Sequence, residues 1–260
     1  MAARYFVWLL RTGLAIFFMM VGGAVYGADI HVVATSAPPG GIAALDFQLV
    51  NGNDGPSTFI IELRFDTAKM MAVAIDSSSS PLLHIVDFQN TDNGVVVILT
   101  GASAPVSTGT FLTLYLEVAE EATSGETIAI VNGSSTAANL GAQALTVNLT
   151  ADSVPVASLT QPHSADTDGN GRIGLPEVLR VVQLYNGGAY YCDSTSEDGF
   201  TIVSGARDCE FHNLDLGPPD WTIDLSELLR CIQFFNALKG AYHPEPSGED
   251  GFAPGPARGN

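Results

Sequence analysis

Apolar residues recur at every second position over residues 29 to about 156 of this chain, and at helical spacing at 173–186 and 223–236. A period of two belongs to strands with one buried face, and a period of about 3.6 to amphipathic helices. Two periods in separate blocks predict two units, and 260 residues are enough for both. In the first block, "ALDFQLV" puts Leu45, Phe47 and Leu49 on one face, and "TFIIELRF" does the same for Phe59, Ile61, Leu63 and Phe65. "TFLTLYLEV" points Leu112, Leu114, Leu116 and Val118 inward, and "ALTVNLT" points Leu145, Val147 and Leu149. Further strand candidates are "DIHVVAT", "KMMAVAI", "LHIVDFQ", "GVVVILT" and "ETIAIVN", separated by turn signals such as "PPGG", "NTDNG" and "TSGE". About nine short strands without a helix predict a β-sandwich of two facing sheets.

Charge narrows the function. With 28 Asp and Glu against 10 Lys and Arg, the net charge is -18. There is no basic patch to neutralise a phosphate backbone, so no nucleic-acid partner is expected. Residues 1–27 carry Arg4 and Arg11, then the apolar run "TGLAIFFMMVGGAVYG" with small Val25 and Gly27 at its end. This pattern predicts a secretory leader cleaved after Gly27. No second candidate span follows, so the processed chain is expected in a bacterial extracytoplasmic setting, secreted or at the cell surface, where disulfides form. Cys192 and Cys209 share a loop rich in Gly, Ser and Asp, whereas Cys231 lies in the apolar helical pattern "ELLRCIQFF". One bridge, Cys192–Cys209, is expected, with Cys231 buried as a small hydrophobe.

The pattern changes at "DSVPVASLTQPHSA", where Pro155 and Pro162 mark a linker. Beyond it, "IGLPEVLRVVQLYN" (173–186) and "IDLSELLRCIQFFN" (223–236) are identical at seven of fourteen positions, and "EDGF" occurs at 197–200 and again at 249–252. The second block is therefore an internal duplication. Its helices present Val178, Leu179, Val181, Val182 and Tyr185 in one copy, and Leu228, Leu229, Ile232, Phe235 and Leu238 in the other. These faces are expected to form each other's core.

"DTDGNGRIGLPE" (166–177) has the donor spacing of a calcium loop. Asp166, Asp168 and Asn170 fill places 1, 3 and 5, and Gly171 allows the sharp turn at place 6. Arg172 offers its carbonyl at place 7, Gly174 leaves room for a water at place 9, and Glu177 closes with both oxygens at place 12. In the second copy Glu227 and Ile223 are in register, but counting back meets Leu216 and Pro218. A three-residue insertion repairs the loop, with Asn213 and Asp215 as first donors, Asp220 returning a carboxylate, Thr222 offering its carbonyl and Glu227 closing. Neither loop is preceded by a helix, so both are loop-plus-exiting-helix units.

Two stretches carry a family resemblance. "GGIAALDFQLVNGNDGPSTFIIELRFDTAKMMAVAI" followed by "GVVVILTGASAPVSTGTFLTLYLEV" resembles a bacterial cohesin-type domain. That implies a nine-stranded jelly-roll sandwich. The duplicated loop-helix units resemble dockerin domains, the calcium-folded partners of cohesins in bacterial extracellular assemblies linked to polysaccharide breakdown. Together these resemblances imply an all-β jelly-roll sandwich at 28–156, a linker at 157–165, a small α-helical, EF-hand-like Ca2+ domain at 166–242 and a flexible tail at 243–260.

No H-E-x-x-H, G-x-S-x-G or phosphate-binding loop occurs, so no enzyme activity is expected. The five histidines, His31, His84, His163, His212 and His243, are read as surface or turn residues. The expected function is calcium-dependent assembly with an extracellular protein bearing a cohesin or dockerin. A carbohydrate-binding or adhesive role toward polysaccharide is the second reading, resting on Phe111 and Tyr115 on the outer face of their strand. The calcium loops are read as structural staples, since two helices of about fourteen residues bury too little core to be secure alone.

Overall fold

The computed structural model describes residues 27–52, 55–77, 84–101 and 104–258. The expected leader lies outside the described residues apart from Gly27, where the first strand begins. Alternation builds strands β1 (Gly27–Ala34), β2 (Ile42–Asn51), β3 (Pro56–Arg64), β4 (Met70–Asp76), β5 (His84–Thr91), β6 (Gly94–Gly101) and β7 (Gly109–Val118). Short strands β8 (Thr127–Ile128), β9 (Val131–Asn132) and β10 (Thr136–Asn139) follow, then β11 (Ala144–Ala151) and β12 (Val154–Pro155). "ETIAIVN" is therefore two short pieces rather than one strand, with Ile128 and Ile130 both turned into the core.

The strands run in the order β4-β7-β2-β1-β11-β10-β3-β6-β5. They fold into two facing layers. β11 joins the layers, pairing Leu145 with Ala137 of β10 at its start and then running parallel to β1 from Thr146 to Ala151. Leu45, Phe47, Leu49, Phe59, Ile61, Leu63, Leu112, Leu114 and Leu116 all face inward and are buried, as their alternation requires. Each such side chain contributes about 1.5–3 kcal/mol of burial free energy.

The outer-face reading of Phe111 does not hold. The β2–β7 register shifts between Phe47 and Gln48, whose partners are Leu112 and Thr110. Phe111 is the extra residue of a β-bulge, and a bulge breaks the inside–outside alternation locally. Its ring is buried, 5.3 Å from Phe59 in a stacked arrangement and 6.3 Å from Phe47 edge-on. Tyr115 keeps its outward orientation, but Ala241 packs over it. Neither aromatic offers a platform to a sugar.

The second unit contains α1 (Leu175–Gly187), hairpin β13–β14 (Tyr191–Cys192 and Phe200–Thr201), α2 (Leu225–Asn236) and hairpin β15–β16 (Tyr242–Pro244 and Phe252–Pro254). Its core draws Val181 and Leu228 from the predicted helix faces, with Val178, Val182, Tyr185 and Ile232 packed against it, while Leu238 packs instead beside Tyr115. Val181 and Leu184 meet Leu228, Cys231 and Phe234, and Tyr190, Phe200, Tyr242 and Phe252 from the hairpin segments fill the remaining space. Leu179, Leu229 and Phe235 are exposed. The hairpin aromatics complete the core around the helix pair.

Cys192 and Cys209 are bonded, with Cα atoms 5.8 Å apart, and Cys231 is free and buried. Burial pushes the Cys231 thiol up to about 12. The segment expected as a tail from residue 243 instead supplies hairpin β15–β16, a buried Pro256, and Arg258, whose Nη2 donates to Asp76 Oδ2 at 2.6 Å. Among the described residues no helix is long and apolar enough to cross a membrane.

Candidate metal centre

In the first loop, ligand atoms of Asp166, Asp168 and Glu177 lie within 4.8 Å of one another. The chain bends around Asp166. Its Oδ1 accepts from Asn170 N–H at 3.1 Å, and its Oδ2 accepts from Gly171 N–H at 2.9 Å. Gly171 sits at φ 77°, in the left-handed region that favours glycine. Asn170 Oδ1 accepts from Arg172 N–H at 2.9 Å. Glu177 Oε2 accepts from Gly174 N–H at 2.5 Å, so the closing residue also caps α1.

Three carboxylates packed this closely repel. Burial raises the Asp166 carboxyl to about 6; the Tyr242 hydroxyl and Gly171 N–H oppose that rise, and the Asp168 charge adds to it. Burial also raises Glu177, which feels Asp168 and Asp166 as well. A divalent cation would relieve this repulsion, and a set of carboxylates with an amide and a backbone carbonyl suits hard Ca2+. The donors Asp166, Asp168, Asn170, Arg172 and Glu177 therefore fit the ion.

The second loop repeats this network with one residue inserted, not three. Asp215 takes the place of Asp166: its Oδ1 accepts from Asp220 N–H at 3.1 Å and its Oδ2 from Trp221 N–H at 3.0 Å. Trp221 stands where the first loop has Gly171 and takes the same left-handed turn, φ 67°. Asp220 Oδ1 accepts from Thr222 N–H at 2.9 Å, matching Asn170 with Arg172. Glu227 accepts from Leu216 N–H at 2.6 Å and Asp224 N–H at 2.7 Å. Asp215, Asp220, Thr222 and Glu227 thus occupy first, fifth, seventh and last places. The detour through Gly217-Pro218-Pro219 leaves no counterpart of Asp168. Asn213 does not join the loop. Its Oδ1 accepts from Ser164 N–H at 2.7 Å while its own N–H donates to Ser164 Oγ at 2.8 Å. It is the counterpart of Ser164, two residues ahead of the loop.

The repeat extends further than the matching helices. "HSAD" (163–166) and "HNLD" (212–215) are equivalent, and both histidines are buried rather than on the surface. His163 Nδ1 accepts from Ala165 N–H at 3.0 Å, and His212 Nδ1 from Leu214 N–H at 3.1 Å. Burial lowers both imidazoles, depressing His163 against the opposing pull of Asp250 and taking His212 down to about 3. The two halves also exchange hydroxyls: Tyr242 donates to Asp166 Oδ2 and Tyr190 to Asp215 Oδ2, each at 2.6 Å. Each hydroxyl accepts in turn from the N–H of His163 or His212. Each loop is held by a tyrosine that follows the other loop's helix. The paired His-x-x-Asp and the tyrosine after each helix were readable in the sequence, at offsets that differ by insertions from that of the helices.

Residues 29–156 match the family model described as Cohesin domain, so the sandwich is cohesin-like. Among solved structures, the sixth cohesin of scaffoldin B from Acetivibrio cellulolyticus, determined with a Cel5 dockerin mutant, shares 17% identity over 50% of this chain and 99% of its own, with TM-score 0.43. The third cohesin ScaC of that organism, in complex with the ScaB dockerin, shares 18% over 50% and 99%, TM-score 0.44. A non-cellulosomal cohesin from the archaeon Archaeoglobus fulgidus shares 13% over 51% and 92%, TM-score 0.43. No curated protein matches.

Proposed function

We propose that this chain is a non-catalytic, extracellular assembly protein whose sandwich binds a dockerin-bearing partner and whose helical unit is a calcium-folded, dockerin-like module. The match of residues 29–156 to the Cohesin domain carries this reading. The layer β10-β3-β6-β5 supplies a suitable surface. On its outer side Ile60 pairs with Ile98, which pairs with Asp87, and Val96 lies between Glu62 and Gln89. Nearby Ile85 is 70% exposed. An apolar stripe with an acidic rim suits a helical partner with apolar and basic side chains. On the helical unit, Leu175 and Leu179 of α1 and Leu225 and Leu229 of α2 form a matching pair of exposed apolar stripes.

Capture from the native secretome, with and without EGTA, tests the assembly reading. Retention of a dockerin-bearing protein is expected, and Ile98→Asp is expected to abolish it by placing a charge inside the contact. Equal retention by the Ile98→Asp protein would remove this face from the proposal.

Calcium is tested separately by calorimetry on the chain from residue 28. Two ions are expected, falling to one in Glu177→Gln and one in Glu227→Gln. The first loop should bind within the range of extracellular modules, about 10⁻⁴–10⁻³ M. The second should bind more weakly, because it lacks the third-place carboxylate.

A further inference from the structure

The two calcium loops are near copies, yet among the described residues only the first is seated against the sandwich. Arg172, whose carbonyl takes the seventh place, turns its side chain away from the loop, and its Nη1 donates to Glu117 Oε1 of β7 at 2.6 Å. Glu117 Oε2 accepts from Lys239 Nζ at 2.7 Å. Lys239 adopts a left-handed conformation, φ 50°, in the turn after α2. A non-glycine residue held there is disfavoured unless its surroundings fix it. Thr222, the counterpart of Arg172, has no side chain able to make such a reach.

The fit is close in the backbone as well. A Cβ on Gly41 would come within 3.0 Å of Asn170 O, and one on Gly171 within 3.0 Å of Pro38 Cγ. The "PPGG" turn at 38–41 thus forms the seat for Asn170 and Gly171, the two residues that shape the ion site from behind.

We propose that ion binding in the first loop and docking of the helical unit onto the β2–β7 face are coupled through Arg172 and Glu117, so that each strengthens the other. The inference rests on the calcium reading given under Proposed function. The physical basis is that the bend placing Asp166, Asn170 and the Arg172 carbonyl around an ion is the same bend that fits the "PPGG" seat and aims Arg172 at Glu117. Linkage makes the effect reciprocal: whatever factor docking adds to ion affinity, the ion adds to docking. The second loop, which has no such seat among the described residues, binds independently of the sandwich.

Arg172→Ala tests this with opposite signs. The substitution keeps the backbone carbonyl and removes a positive charge near the ion. Electrostatics alone would then tighten calcium binding, whereas coupling weakens it. Calorimetry on the full chain, with Trp221 fluorescence following the second loop, is expected to show first-loop affinity reduced about 5-fold or more and the second loop unchanged. Lys239→Ala, which removes the other cation on Glu117 from outside the loop, should weaken the first loop in the same direction. In a Glu117→Ala background, Arg172→Ala should cause no further loss. Equal or tighter first-loop binding in Arg172→Ala, or the same loss without Glu117, overturns the coupling while leaving the calcium reading intact. If the unsubstituted chain binds no calcium in its first loop, the calcium reading fails and the coupling with it.

Discussion

Phe59→Ala is expected to destabilise the sandwich by about 3–5 kcal/mol. Phe59 is fully buried in β3 and stacks on Phe111 at 5.3 Å. Phe111 in turn meets Phe47 at 6.3 Å across the bulge. Removing the Phe59 ring leaves a cavity whose neighbours are fixed in β2, β3 and β7, so the wall cannot relax far. Urea denaturation followed by tyrosine fluorescence should show a lower midpoint with unchanged slope. A loss under about 1 kcal/mol would mean that the three rings do not form a common packing unit. The bulge adds a second outcome. Deleting Thr110 should restore strict alternation and turn Phe111 outward, with a loss of similar size because that ring then leaves the core.

Arg230→Ala is expected to cost the helical unit about 3–5 kcal/mol at neutral pH, the usual consequence of leaving a buried charge without its partner. The Asp250 side chain is 0% exposed and receives Arg230 Nε and Nη2, each at 3.1 Å. Arg230 Nη2 also donates to the Phe252 carbonyl at 2.9 Å, which ties hairpin β15–β16 to α2. His163 Nε2 is the remaining group facing Asp250, 3.6 Å away, and Phe252 N–H donates at 3.1 Å. Burial by itself would raise Asp250; the interactions with His163, Arg230 and Phe252 N–H outweigh it and hold the carboxyl at about 2.

The sign of the pH dependence follows. A carboxyl lowered from 3.8 to about 2 contributes stability that is complete above its unfolded value and is lost as pH falls through the folded one. The deficit of Arg230→Ala should therefore be largest at neutral pH and shrink between about pH 4 and pH 2, where the protonated carboxyl no longer needs the guanidinium. A deficit independent of pH over that window would assign the loss to packing of Arg230 over the Phe234 ring, 4.5 Å away. Arg180 and Asp198 make the equivalent pair in the first half, with Nε and Nη2 at 2.6 and 3.0 Å from the carboxylate. Arg180→Ala should behave the same way.

Much of this architecture was legible in one dimension because it depends on local spacing. Strand alternation assigns the inward residues of β2, β3 and β7 wherever the pleat is unbroken. Donor spacing in the twelve residues from Asp166 to Glu177 anticipates that the Asp166, Asp168 and Glu177 carboxylates meet. The helix repeat and the Cys192–Cys209 pairing follow from sequence distance in the same way.

Other features depend on contacts between distant segments, and no local period encodes these. Phe111 is buried because β2 and β7 pair with a shifted register, a property of two strands rather than of one. Asn213 falls outside the second loop because Asp215 finds the Trp221 N–H across a one-residue detour. His163 and His212 are buried because the aromatic side chains that enclose them come from the hairpin segments after each helix, up to 89 positions away in the case of Phe252. What the sequence by itself determined was which residues face inward in each element and which oxygens can surround an ion. What only the tertiary structure decided was which loop meets the sandwich: Arg172 reaches Glu117, 55 positions away, because the "PPGG" turn and the fold of β7 bring a carboxylate and a seat to one copy of a duplicated loop and, among the described residues, not to the other.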